Sequence, residues 1–359
     1  MSFVAKTKSS AEWKLITNVV STIVEEPSFE ANAEGIQFRG MDPSHVAMID
    51  LNWPNASFEK YECDKEYKFT VRGDELSKLM KRTNQSDSMS ISIEDEDYMI
   101  VRLEDEAKVK GGRKRKFEIR LIESSQSTQQ VPKLSLDSKI VINKKLFEET
   151  LKDIGAVSDH VIFETNQIDE IDSDKTRSYE INVIGKADSG KAEVVLNKSN
   201  EGVMEISAKS SNPIESTEHY INEVKEHKVH EEKKVEELLC SKCGMAEVYL
   251  QITDTGIGDG PYEPDKNMIQ VKEIRSYRCG KSECKHEWKE YVSQLSKATY
   301  SLSYLVQILK AVGTSRAVFV SSENITMEYS WKMPFKIEFK LGDAGGKFNF
   351  YLAPRIDDR

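Results

Sequence analysis

The chain is poor in cysteine: five among 359 residues, four of them crowded into one window. That is too few, and too unevenly spread, for a disulfide framework, and it fits a reducing compartment. No apolar run approaches the roughly 20 residues that a membrane-spanning helix needs. The opening stretch, MSFVAKTKSSAEW, has no apolar segment of the kind a secretory leader carries. A basic excess is missing too: 51 Lys and Arg face 61 Asp and Glu, for a net charge of −10. This argues against a simple basic nucleic-acid binder but leaves room for positive charge gathered on one face. No serine or cysteine nucleophile motif is present, and acidic residues do not cluster as a nuclease would require, so no catalytic residue and no enzyme are expected. What is there is 38% apolar and 31% charged residues, enough for real cores beneath a large solvated surface.

The crowded cysteines read Cys240-Ser-Lys-Cys243 and Cys279-Gly-Lys-Ser-Glu-Cys284. Two such pairs at this separation are the spacing of a zinc ribbon, in which two turns supply four thiolates to Zn2+. The second pair encloses four residues where two are commoner. His286 is read as lying beside the site rather than in it, and Cys63 as a small buried apolar residue. Gly185-Lys-Ala-Asp-Ser-Gly190-Lys191 nearly spells a phosphate loop, but Ala192 stands where Ser or Thr must hold magnesium, so it is read as a turn. His227 and His230 fall in a charged stretch and are read as solvated.

Helical periodicity marks residues 10–26, 73–82, 144–154 and 301–310. Alternating runs predict strands near 35–39, 46–51, 88–93, 98–103, 115–122, 161–164, 178–184, 192–196, 203–208, 317–320, 335–339 and 347–352. Residues 123–138 are small, polar and aperiodic, as a linker is, and 210–237 are charge-dense. The succession helix, strand, strand, strand after Leu76 recurs after Leu302, the mark of a duplicated α+β unit.

Met41-Asp-Pro-Ser-His45-Val46 and the closing Phe350-Tyr-Leu-Ala-Pro354-Arg-Ile-Asp-Asp resemble the sliding clamp of archaea and eukaryotes, the PCNA family. The resemblance covers residues 1–209 and 294–359 and implies an α+β, two-domain DNA-clamp fold. Its expected parts are a first domain at 1–122, a connector at 123–138, a second domain at 139–209 plus 294–359, a charged linker at 210–237 and an inserted ribbon at 238–293. It further implies a homotrimeric ring around double-stranded DNA, a clamp loader, and clients such as DNA polymerase that dock short apolar and aromatic motifs. No membrane partner is expected. The implied location is the cytoplasmic nucleoid of an archaeon, or the nucleus for a eukaryotic or viral source.

Several residues acquire roles from that resemblance. Lys14, Lys78, Lys81, Arg82, Lys144, Lys145, Lys152 and Lys310 become the DNA-facing cations; without it, scattered lysines are ordinarily a solvated helix face. Met41, His45, Val46, Leu134, Leu136, Pro334, Tyr351 and Pro354 become a client pocket, where core packing is the plainer reading for Met41 and Val46. Ring closure is expected through edge strands at 113–120 and 176–184. The insert resembles the C-terminal ribbon of transcript-cleavage factors and small RNA polymerase subunits. It lacks their acidic pair: Asp259, Glu263 and Asp265 are out of register. Docking of nucleic acid or protein is therefore expected of it, through Lys272, Arg275, Tyr277, Arg278 and Trp288, although Trp288 suits the ribbon core equally. The alternative whole-chain reading is a transcription-associated protein that reaches RNA polymerase with a clamp-like body.

Overall fold

The alternating apolar residues form sheets, and the apolar stripes of four helices cover them. The computed structural model describes residues 3–355 except 85, 95, 96, 106–111, 124–129, 132, 133, 135, 172–176, 209–224, 236, 237, 257–270, 294, 295, 314–322 and 332. The first half runs β1 (Phe3–Thr7), α1 (Ser10–Val20), β2 (Ser28–Asn32), β3 (Gly35–Met41), β4 (Ala47–Pro54), β5 (Lys60–Cys63), β6 (Tyr67–Thr70), α2 (Gly73–Met80), β7 (Asp87–Ile93), β8 (Tyr98–Asp105) and β9 (Lys114–Arg120). The second half opens with β10 (Ser138–Asn143), α3 (Lys144–Gly155), β11 (His160–Ile171), β12 (Arg177–Ala187), β13 (Gly190–Leu196) and β14 (Val203–Ala208). An inserted sheet follows: β15 (Lys225–Val229), β16 (Lys233–Val235), β17 (Val248–Gly256), β18 (Val271–Cys279) and β19 (Glu287–Ser293). The second half then resumes with β20 (Lys297–Ser301), α4 (Leu302–Gly313), β21 (Asn324–Tyr329), β22 (Phe335–Leu341) and β23 (Gly346–Leu352).

The sheets expose the duplication. The first half's five-stranded order β5-β1-β7-β8-β9 returns in the second half as β14-β10-β21-β22-β23. Its order β6-β2-β3-β4 returns as the four-stranded β20-β11-β12-β13. Two of these four pieces are fused. β23 pairs antiparallel with β4, from Lys347 opposite Asn52 to Leu352 opposite Ala47, which makes one nine-stranded sheet of both halves. The counterparts of β23 and β4 are β9 and β13, and both lie at the ends of their sheets.

One apolar core runs through both halves. Trp13 meets Trp53 edge-on at 4.9 Å, and Phe163 lies 4.8 Å from Phe335. On α1, Leu15, Ile16, Val19 and Val20 face Ile49 and Leu51 of β4 and Phe348 of β23, so this helix sits across the seam. Side-chain caps start two helices: Ser9 Oγ accepts from the Ala11 amide at 3.2 Å, and Asn143 Oδ1 from the Lys145 amide at 2.9 Å.

Several expectations need correction. The first helix ends at Val20, and residues 21–23 form a turn rather than further helix. The second expected ring edge, 176–184, is an interior strand: β12 pairs with β11 on one side and β13 on the other, so the open edge is β13. Within the stretch 210–237, read as a charged linker, residues 225–229 and 233–235 form strands that pair with β17. In the repeat, the strand that answers β7 is β21; the expected strand at 317–320 lies outside the described residues. The near-phosphate loop is a turn as expected, closing a hairpin with Ala187 opposite Gly190.

Candidate functional site

The helices form a continuous row on the sheets. α2 packs on α1, α1 on α4 across the seam, and α4 on α3. The solvent side of this row carries the expected cations. Lys78 lies on α2 with Lys81 and Arg82 just past its end; Lys145 and Lys152 lie on α3 and Lys310 on α4, all exposed; Lys14 and Lys144 are half-buried. Lys78 pairs with Asp74 at 2.7 Å and Lys144 with Glu148 at 3.4 Å. Lys14, Lys81, Arg82, Lys145, Lys152 and Lys310 have no ion pair among the described residues. The row is not uniformly basic, since Glu149 and Asp153 are exposed on α3.

The expected pocket residues gather at the end of the β4–β23 seam. Met41 pairs with Met48, and Tyr351 pairs with Met48 from the other side. The Ala353 amide donates to the Val46 carbonyl at 2.8 Å, which brings the strand leading to Pro354 against the turn. Pro334 enters β22 opposite the same exit, since Phe335 pairs with Leu352. His45 is exposed at a left-handed φ of 58°. Leu134 and Leu136 are half-buried on the connector, which meets the body where the Asp137 amide donates to Ser330 Oγ at 2.6 Å. Tyr351 is buried; that burial, with the carboxylates of Asp50, Glu338 and Glu328, pushes its hydroxyl up to about 12.

Asp42 organises this turn, a role that the sequence reading did not give it. Its buried carboxylate accepts from the amides of Ser44 at 3.2 Å, Val46 at 2.7 Å and Ala47 at 2.6 Å, and from the Tyr304 hydroxyl of α4 at 2.9 Å. Burial alone would raise its pKa, but these donors outweigh burial and hold the carboxyl below its usual range. Arg115, inside the edge expected at 113–120, takes a role that expectation did not give it. It stands on the edge strand β9 but turns inward, pairing with the buried Asp87 and donating to the Arg82 carbonyl at 2.7 Å. An inward charge of this kind makes an edge selective about what pairs with it.

The four window cysteines come together. All their Sγ atoms lie within 4.8 Å of one another, with Cys240–Cys284 at 3.8 Å and Cys243–Cys279 at 3.6 Å. A tetrahedral thiolate cage with metal–sulfur bonds near 2.3 Å needs sulfurs about 3.8 Å apart, so the set fits a metal ion. Each turn is built alike. The Cys240 amide donates to the Met245 carbonyl and the Cys279 amide to the His286 carbonyl, both at 2.9 Å. A left-handed residue follows each second cysteine, Gly244 at φ 69° and Lys285 at φ 45°. His286 stays outside the cluster, with Nε2 3.2 Å from Ser241 Oγ. Trp288 is stacked between Tyr277 at 5.0 Å and His286 at 5.1 Å, so it belongs to the ribbon's small core. Tyr277 is buried, and Arg278 is held by Glu232 at 2.7 Å and lies over Tyr249, so neither offers the free contact expected of it. The side chain of Lys272 and residues Asp259, Glu263 and Asp265 lie outside the described residues.

Residues 2–128 match the family model for the N-terminal domain of proliferating cell nuclear antigen. The chain is 34% identical, over 99% of its own length and 100% of the relative's, to a DNA polymerase sliding clamp of Nitrosopumilus maritimus. Among solved structures, PCNA from Thermococcus kodakaraensis matches with a TM-score of 0.64 and 17% identity, covering 98% of this chain and all of that one. A. fulgidus PCNA, solved with the C-terminal region of FEN-1 bound, matches with a TM-score of 0.61 and 18% identity, covering 99% and 100%. A fused double sheet, a row of four helices and a relative this similar along its whole length have one meaning: the chain belongs to the PCNA-type family of DNA polymerase sliding clamps.

Proposed function

We propose that three copies of this chain close into a ring that encircles duplex DNA and tethers DNA polymerase and other replication and repair clients, without chemistry of its own. The observation that carries this reading is the β4–β23 seam. Its two strands have counterparts, β13 and β9, that end their sheets with no further strand beside them among the described residues, so β9 of one chain can join β13 of the next as β23 joins β4 within a chain. The same operation sets α2 of one chain beside α3 of the next and continues the helix row around the ring. A helix row lining the bore would present Lys14, Lys78, Lys81, Arg82, Lys144, Lys145, Lys152 and Lys310 to phosphates, an attraction without base readout that lets a ring slide. Clients would dock over Met41, His45, Val46, Pro334, Tyr351 and Pro354, with Leu134 and Leu136 of the connector at its border.

In this reading residues 1–122 and 139–209 with 294–359 are the two domains, 123–138 the connector, and the insert grows between β14 and β20. Zn2+ is the ion that four thiolates at these separations suit best, and a sheet with so small a core needs it to fold. A clamp loader is implied, because a closed ring cannot thread itself onto circular DNA. No described helix is long and apolar enough to cross a membrane, and the site of action is the DNA itself. Light scattering of the purified chain tests the assembly. The expected mass is three times the 40.9 kDa of one chain, unchanged by a zinc chelator. A monomer at every concentration would overturn the ring.

A further inference from the structure

We infer that the cysteine-bearing insert stands on the client face of the ring and gives protein clients a second, apolar contact; this rests on the clamp reading above. Both roots of the insert meet at one place. Ala208, the last residue of β14, pairs with Ser138, where the connector enters β10. On the return, the Ser296 carbonyl accepts from the Thr165 amide at 2.9 Å, and the Thr165 hydroxyl lies 2.7 Å from that of Ser138. A few residues on, the Thr299 carbonyl accepts from the Arg355 amide at 2.8 Å, beside the Ala353–Val46 bond of the pocket. The connector's end, both insert roots, the C-terminal exit and the Met41–Val46 turn therefore share one end of the body.

The connectivity of the insert separates its far end from its roots. Only residues 294–296 separate β19 from β20, so the base of the insert stays within about 14 Å of Lys297. Val271 pairs with Ser293 at this base, and β18 runs from there to Cys279, about 26 Å along an extended strand. The cysteine turns thus form the tip. Leu239 is 59% exposed there and Met245 39%, and they are neighbours through the Cys240–Met245 backbone bond. The charges around them are mixed, Lys242, Lys281 and Lys285 against Glu283 and Glu287, all exposed. That is no phosphate-tracking stripe, so an apolar protein surface fits the tip better than nucleic acid does.

The first half supplies the control. Its β5–β6 connection, the counterpart of β14–β20, is the turn Asp64-Lys65-Glu66. Two altered rings test the inference: one with Leu239→Ser and Met245→Ser, and one with residues 209–296 replaced by Asp-Lys-Glu. The probes are FEN-1 of the same organism, full length, and its isolated C-terminal region, titrated calorimetrically. The C-terminal region should bind all three rings alike, while full-length FEN-1 should bind both altered rings about tenfold more weakly. Equal binding of full-length FEN-1 to all rings would overturn the inference. So would a loss confined to salt-dependent retention on DNA, which would assign the tip to nucleic acid. Failure of the C-terminal region to bind even the unaltered ring would instead overturn the client pocket, and this inference with it.

Discussion

Asp42 shows how much of the turn after Met41 depends on one side chain. It spends both carboxylate oxygens on its own turn and on Tyr304, 262 residues away. Asp42→Asn should therefore lower stability by about 2–3 kcal/mol in urea unfolding, because charged hydrogen bonds become neutral ones and one acceptor becomes a donor. Its depressed pKa gives a sign as well. The stabilisation is complete above the ordinary carboxylate range near pH 4 and is lost as pH falls through the folded value. Glu12 acts in the opposite direction. Burial pushes its pKa from 4.5 up to about 7, against the pull of Lys8, and its Oε2 has no hydrogen-bond partner among the described residues. Its contribution is complete below pH 4.5 and lost as pH rises through about 7. Glu12→Gln should flatten the stability profile across that window and add on the order of 1–2 kcal/mol at pH 8, read by thermal unfolding against pH. An unchanged profile would contradict this. Neither residue's role is legible in sequence. Asp42 lies inside a motif the sequence displays, but its partner on α4 is brought near only by the fold.

The elements were unequally legible. Four helices announce themselves because their apolar stripes repeat at three- and four-residue steps, and three of the four begin within a residue or two of a side-chain cap or a glycine. The edge expected at 176–184 falls one strand away from the observed one because β12 and β13 both alternate, and alternation does not reveal which strand is last in a sheet. β15 and β16 have no sequence signal because Lys-Glu-His-Lys-Val and Lys-Lys-Val each hold a single apolar residue, so no alternation can show. The cysteine pairs were legible because a metal site needs fixed residue types at fixed spacing. Their consequence is testable at this scale. A chelator should abolish the near-ultraviolet signal of the Tyr277–Trp288–His286 stack, since structural zinc holds on the order of 10–16 kcal/mol of such a module's folding. The main unfolding transition of the body, whose core is separate, should stay in place. A single shared transition, lost together on chelation, would contradict the separation.

At the scale of the molecule, duplication explains both what holds the chain together and what it leaves open. The seam between the halves satisfies β4 and β23 and leaves their twins β13 and β9 as edges. Phe117 on β9 is half-buried and Val195 on β13 is 43% exposed, apolar side chains that a lone chain shows to water. Phe117→Asp should reduce the scattering mass to that of one chain without unfolding it, whereas a trimer that survived this change would place the joint elsewhere. The repeat is visible in the sequence as a recurring order of elements, but the strand pairing at the seam is not, because partners about 300 residues apart leave no local trace.

The claim at the centre is that a closed ring holds DNA by topology. Its most direct test is retention of the loaded ring on nicked circular plasmid in high salt, before and after a single cut. The account predicts that the ring stays on the circle, where salt weakens only its phosphate contacts, and slides off once the plasmid is linear. Equal release from circular and linear DNA would contradict it.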